Sequence, residues 1–540
     1  MVGHEEEKHS VGKSFYNQEL DHALSNKSTG QRIVSRLFAR KDFARLRDET
    51  SDDANTLRRA LTAFDLTAIG IGGIIGGGIF VLGGLAAELY AGPSVMISFV
   101  VAAIAASFAA LSYSEMACMI PVSGSAYTYA YATMGEFLAW IIGWDLIVEY
   151  LFGAASVCVS WSKYFVAFLK LCGASVDERF TNPPIKFKET ANGDAQFIVT
   201  GDYMNLPGFF MAVCVTIILC LGIRESKLAN NIFVSVKIFV VLLFIFAASK
   251  WVNPNNWDPL FPPRIDDNWR HYGVTGMFAA AQVVFFAYIG FDAVSTAGQE
   301  SKNPQRDLPI GIMGSLVICT ILYVLFTLVL TGLVPYTEFK TDVTAPIVTA
   351  LGPTGQNWLT IIVTLGACIG LTSVILIMML GQSRIFYSIA HDGLLPTAFA
   401  KVHPRFKTPL IPTIVTGTIC SLLGGFLPVD LLANMTSVGT LLAFFLVHIG
   451  IILLRFTRPD EPRRFKIPGP GFTWMIFPIL GCAISILLIA LADRGTIYRV
   501  FIWMGLGILI YIFYGYKHSR MFNRKQDELL QELDKQAKPI

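Results

Sequence analysis

Charge is what this sequence has least of. Only 15% of its 540 residues are Asp, Glu, Lys or Arg, where soluble globular chains carry about a quarter, and that shortfall excludes an ordinary soluble enzyme. The charges present nearly cancel, at a net +3, so no nucleic-acid partner is expected. Cysteine is sparse and badly placed for cross-linking: of nine, all but Cys172 lie in or against apolar runs, which excludes a disulfide or metal framework. No nucleophile motif stands out either, since GQSRIF (381–386) lacks the second glycine of G-x-S-x-G. No cofactor, no metal site and no enzymatic activity are therefore expected. The polar opening MVGHEEEKHS is not the apolar core of a cleaved signal sequence, so insertion is expected to begin at the first spanning helix.

What the sequence has in abundance is apolar surface: 54% of residues are hydrophobic and mean hydropathy is +0.55. Runs long enough to cross a hydrocarbon core fall near 63–90, 93–119, 136–168, 207–223, 228–250, 273–299, 310–334, 357–389, 411–427, 432–454, 472–492 and 495–515. They predict an all-α integral membrane protein of about twelve spanning helices, with the lipid bilayer as its first partner. An N-terminus in the cytoplasm puts the basic loops there too: Arg224/Lys227, Lys302/Arg306, Lys401/Arg405/Lys407 and Arg455/Arg458/Arg463/Arg464/Lys466. Both termini are thus expected to be cytoplasmic, as tails 1–62 and 517–540. Within the first tail, residues 31–47 space Val34, Leu37 and Phe38 among arginines, which fits an interfacial helix or a solvated basic tail equally.

Two spans are interrupted. Residues 70–80, GIGGIIGGGIF, crowd six glycines into the middle of the first, where each costs about 1 kcal/mol of helix relative to alanine. Such a cluster serves close helix packing or an unwound stretch whose bare amides and carbonyls face a cavity, and both can hold at different glycines. Gly76 falls roughly 20 Å in, near the bilayer midplane. A half-helix starting around Gly77 and Gly78 would turn free amides and a positive dipole end towards a carboxylate. The sixth span carries a second interruption, FFAYIGFDA (285–293), with an acid at Asp292. Breaks in the first helix of each half are the pattern of an inverted-repeat transporter. The expected division is 63–252 for helices 1–5, 253–456 for helices 6–10 and 457–516 for the last two.

Four stretches carry a more specific likeness: AFDLTAIGIGGIIGGGIFVLGG (63–84), YSEMACMIPVSGSAYTYAYATMGEFLAWIIGWDLIVEY (113–150), FFAYIGFDAVSTAGQESKNPQRDLPIGI (285–312) and GQSRIFYSIAHDGLLP (381–396). In these the chain resembles the amino acid–polyamine–organocation transporters, specifically the cationic amino acid transporter branch and its bacterial homologues. The resemblance implies a five-plus-five inverted repeat with discontinuous helices 1 and 6, alternating access, and amino acid uptake, often coupled to protons. It places the substrate on Ile74, Gly76, Gly77 and Gly78 for the carboxylate and part of the amine. Phe286, Ala287 and Ile289 supply carbonyls to the amine. Many relatives carry a hydroxyl residue at Gly77, which is absent here. Met378 matches a position facing the substrate side chain, where it either fills space that a long cationic side chain needs or packs as ordinary core.

Ionisable residues inside spans are functional candidates by default: Glu115, Asp145, Glu149, Lys163, Lys237, Asp292 and His448. Lys237 lies roughly 13 Å deep. The resemblance puts its amine where sodium-coupled relatives hold a sodium ion, making it the expected proton-coupling residue; the other reading is a snorkelling lysine, or one paired with Asp292 or a first-span carbonyl. Asp145 and Glu149 share one helix face and either line an aqueous route or organise helix contacts. For Glu115, near the inner end of its span, the resemblance implies a gating or folding role and its position a plain surface one, and Lys163 is expected to snorkel. The function expected is a secondary active transporter importing small neutral or cationic L-amino acids with protons, across the plasma membrane or a bacterial inner membrane. The alternative is an amino-acid sensor that keeps the transporter fold and signals through its tails.

Overall fold

A computed structural model describes residues 37–41, 61–120, 124–174, 176–189, 195–221, 227–264, 268–339, 345–403 and 408–521. Most of the expected 31–47 helix, the tail beyond 521, and Arg224, Arg405 and Lys407 of the basic loops lie outside the described residues. Among the described residues, nine helices are long and apolar enough to cross a membrane, and three shorter apolar helices, Ala63–Ile74, Leu206–Cys220 and Leu410–Phe426, stand with them. Together they occupy every segment at which the sequence predicts a span. Among the described residues, an antiparallel hairpin departs from helix between the third and fourth predicted spans, pairing strand Ile185–Glu189 with Ala195–Val199, Ile185 opposite Val199.

Helix ends follow local chemistry. Thr62 caps Ala63–Ile74 in a capping box: its backbone N–H donates to Asp65 Oδ2 at 2.9 Å and its hydroxyl receives the Asp65 amide. Asn205 caps Leu206–Cys220 by accepting from the Gly208 amide at 3.1 Å, with Pro207 at the second helical position, where no amide partner is needed. Large apolar side chains such as Phe239, Phe246, Phe501, Ile502 and Phe513 point outward, the arrangement a lipid solvent permits and water does not. The helix Pro304–Leu333 lies between Ala63–Ile74 and Val95–Met119, while Asn357–His391 packs on Gly153–Leu171 and on Lys227–Ala248.

The two interrupted helices stand inside this frame. The first runs Ala63–Ile74, goes extended at Ile75 (φ −71°, ψ 99°) and restarts at Gly78 as π, α and π turns to Ala91. The second runs Gly273–Val284, tightens into a 3₁₀ turn Phe285–Tyr288, goes extended at Ile289, passes Gly290 at φ +116° and restarts at Ala293–Thr296. Unwinding is shorter than the glycine run. Only Ile75 and Gly76 leave the helix, and the remaining glycines serve contact.

Candidate functional site

The two breaks abut through backbone. A methyl on Gly73 would lie 3.0 Å from the Gly290 carbonyl oxygen, one on Gly290 would lie 2.7 Å from Gly73 C, and one on Gly78 would overlap Ala287. Gly73, Gly78, Ala287 and Gly290 thus form one junction. Gly76 and Gly77 face other helices: a methyl on Gly76 would meet Val374 at 3.2 Å, and one on Gly77 would meet Ser160 Oγ at 2.9 Å. A helix beginning at Gly78 leaves its first amides without intrahelical partners, and their positive dipole end is open to an anion.

Two hydroxyls at this junction escape a sequence reading. Tyr323, from Pro304–Leu333, donates to the Ile74 carbonyl at 2.7 Å and lies 3.0 Å from the Ala287 carbonyl, so it occupies two acceptors expected to serve a substrate amine. Ser160 brings a hydroxyl beside Gly77 from a neighbouring helix; it donates to the Ser156 carbonyl at 3.0 Å. The signal for Tyr323 is a single polar aromatic in the run CTILYVLF (319–326). Nothing local marks Ser160.

Lys237 is fully buried, and its Nζ donates to the Gly72 carbonyl at 2.6 Å. Of the two partners expected, the first-span carbonyl holds. Asp292 instead accepts from the Tyr150 hydroxyl at 2.5 Å. The aliphatic stem of Lys237 lies against Gly370, where a methyl would sit 3.1 Å from Cγ. Met378, one helical turn beyond Val374, is 5% exposed, and its sulfur is 3.2 Å from a methyl placed on Gly153. Phe286 and Ile289 are buried in the second break.

Other candidates lie elsewhere. Lys163 lines a cavity of about 220 Å³ with Lys170, Thr181, Asn182 and Val348, away from the breaks. His448 is buried, its Nδ1 2.9 Å from Ser112 Oγ. Glu115 is not a surface carboxylate: it is fully buried, accepts from Arg455 Nε at 2.8 Å, from Arg455 Nη2 and from the Ile467 amide at 2.8 Å, and pairs with Arg463 at 3.4 Å. Its depth in the span misleads, because the 458–472 connection folds back over it. Burial pulls the Arg463 guanidinium below its usual value, and Glu115 acts against that pull. Arg455 also lies over the Trp474 ring, 4.1 Å from its centroid. Glu115→Gln leaves two guanidiniums short of an anion, a change worth about 3–5 kcal/mol for a buried pair. A clear fall in the thermal midpoint of the detergent-solubilised protein is expected. An unchanged midpoint would show that the pair contributes nothing to stability.

Residues 61–514 match the family described as "Amino acid permease". The chain is 46% identical to the branched-chain amino acid permease BcaP of Bacillus subtilis (strain 168), over 90% of this chain and 99% of that protein. It is 39% identical to the methylthioribose transporter of the same organism, over 90% and 99%, and 33% identical to cationic amino acid transporter 4 of Homo sapiens, over 78% of this chain and 63% of that protein. The chain therefore belongs to the amino acid permease family of the amino acid–polyamine–organocation superfamily, and is a multi-pass membrane transporter of amino acids and not an enzyme.

Proposed function

We propose that the protein imports neutral aliphatic L-amino acids together with protons, by alternating access across the cell membrane, with both termini cytoplasmic. The observation that carries this reading is the meeting of the two interrupted helices at Gly73–Gly290 and Gly78–Ala287, with the buried Lys237 amine on the Gly72 carbonyl. In this reading twelve helices span the bilayer, 63–252 and 253–456 form inverted repeats, and 457–516 adds the last two. The substrate carboxylate sits at the Gly76–Gly78 amides with the Ser160 hydroxyl beside it. Its ammonium takes carbonyls from Ile74 and the 286–289 turn as Tyr323 releases them, and its side chain points towards Met378. Glu115 holds the inner ends of its neighbours together.

A neutral substrate is favoured because Met378 and Val374 fill the space behind the glycines. The name of the branched-chain permease, 46% identical, points the same way. The test is uptake by purified protein in liposomes of labelled leucine, alanine and arginine, with and without an inward proton gradient. Gradient-driven leucine accumulation exceeding that of arginine supports the reading. Binding of leucine with no flux would overturn it in favour of a sensor. Met378→Ser removes the bulk facing the side chain and is expected to raise arginine uptake relative to leucine by about tenfold or more, tenfold being the low end of the scale of one methylene in a pocket. An unchanged ratio would make Met378 ordinary core.

A further inference from the structure

Among the described residues, Asp145, Glu149 and Asp292 stand inside the helical body with no cation beside them. Asp145 and Glu149, one turn apart, share a face of Glu136–Leu171, and Glu149 lies in its π stretch Val148–Phe152. Asp292 approaches from the restart of the second interrupted helix, and the charges that act on Glu149 are Asp292 and Asp145. All three are fully buried. Among the described residues neither carboxylate of the first pair accepts a hydrogen bond, and Asp292 has the Tyr150 hydroxyl on one oxygen while its Oδ1 is unpartnered. Hydroxyls that themselves lack partners face in from three sides. Tyr113, of Val95–Met119, faces Asp292, Glu149 and Asp145; Tyr129, of Ser125–Thr133, faces Asp292; Thr440, of Val429–Thr457, faces Glu149 without closing a bond. The helix Asn357–His391 brings no charge to the group; it presents Met378 to Gly153 and Gly381 to the Tyr150 ring.

A carboxylate taken out of water without a partner is costly, and three in one cluster also repel one another. Positive charge has to reside there for the cluster to persist. A metal ion would draw several oxygens onto one centre, yet no group of three His, Cys, Asp or Glu side chains among the described residues is placed to hold one. Protons need no such convergence. Each carboxyl takes its own, and the unpartnered Tyr113 and Thr440 hydroxyls then gain partners.

We propose that Glu149, with Asp145 and Asp292 beside it, is a second proton-binding site, separate from Lys237. The backbone links the two: Lys237 holds Gly72, Gly73 touches Gly290, and Asp292 follows two residues later. Movement of the second interrupted helix carries Asp292 away from or towards Glu149, and so alters how firmly the proton is held. This rests on the proton-coupled reading for where the proton goes in the cycle, and is independent of it for where the proton sits.

The test has two readouts. The full-length protein at neutral pH is expected to show an infrared C=O stretch of protonated carboxyl, sensitive to deuterium exchange, that is lost or weakened in Glu149→Gln; Asp145→Asn serves as a second variant should the first fail to fold. In liposomes with the membrane potential held at zero, Glu149→Gln is expected to lower leucine accumulation under a one-unit inward pH gradient by about tenfold, the weight of one proton, while leucine-for-leucine exchange stays within about twofold. Absence of the band in the wild type overturns the proposal, as does thermal stabilisation of the protein, lost in Glu149→Gln, by sodium chloride and not by choline chloride. A band that vanishes in the variant supports the site even if no gradient drives uptake; in that case only the coupling reading fails.

Discussion

Lys237→Ala is expected to lower the proton-driven accumulation of leucine by about tenfold for each unit of inward pH gradient, since each proton carried contributes about 1.4 kcal/mol per unit. Exchange of internal for external leucine, which moves no net proton, should continue. The argument starts from the position of the amine. Its acceptor, the Gly72 carbonyl 2.6 Å away, belongs to the last turn before the break in the first helix. Carbonyls there carry the negative end of a half-helix dipole, so the ammonium is held by a helix terminus that must move if access alternates. When that terminus shifts, the amine loses its acceptor, and the cost of burying an ammonium favours release of the proton. Alanine removes the amine proposed to carry the proton and the stem that packs on Gly370. Measurement of accumulation ratios at several imposed gradients, with the potential held at zero, separates this from a general loss of activity. A mutant whose ratio tracks the gradient as the wild type does would sink the role of Lys237.

The membrane class, the positions of the spans and the two breaks were legible because hydrophobic run length and glycine density are local properties of a chain in lipid. The six glycines of 70–80 raised close packing and unwinding, and each occurs at different positions: Ile75 and Gly76 unwind, while Gly73 and Gly78 let the second interrupted helix approach. The partner of Lys237 was one of two anticipated. What stayed hidden are single side chains whose partners come from helices distant in sequence. Tyr323 binds Ile74 across 249 residues and Arg455 binds Glu115 across 340. A hydroxyl within an apolar run reports no direction, so neither Tyr323 nor Ser160 was anticipated. For Glu115 the sequence left a gating or folding role and a surface one open, and the connection that folds back over it, which removes the surface reading, has no local signal.

Gly290→Ala is expected to reduce uptake by about thirtyfold or more, with a measurable fall in thermal stability. Gly290 adopts φ +116°, a conformation that costs a side-chain-bearing residue about 1–3 kcal/mol. Its new methyl would also stand 2.7 Å from Gly73 C and 2.8 Å from Gly73 O. These are backbone atoms and cannot swing aside, and overpacking of this kind adds about 1–3 kcal/mol. The sum, at tenfold per 1.4 kcal/mol, pushes the two breaks apart, and with them the amides at Gly76–Gly78 and the carbonyls at 286–289 that a substrate has to span. Gly505→Ala is the control: a helical glycine with nothing within 4 Å of the added methyl, expected to leave uptake unchanged and to stabilise its helix by up to about 1 kcal/mol. Equal uptake by the two variants would mean that the Gly73–Gly290 approach is not part of the working cycle, and the substrate would then have to bind away from the junction of the interrupted helices.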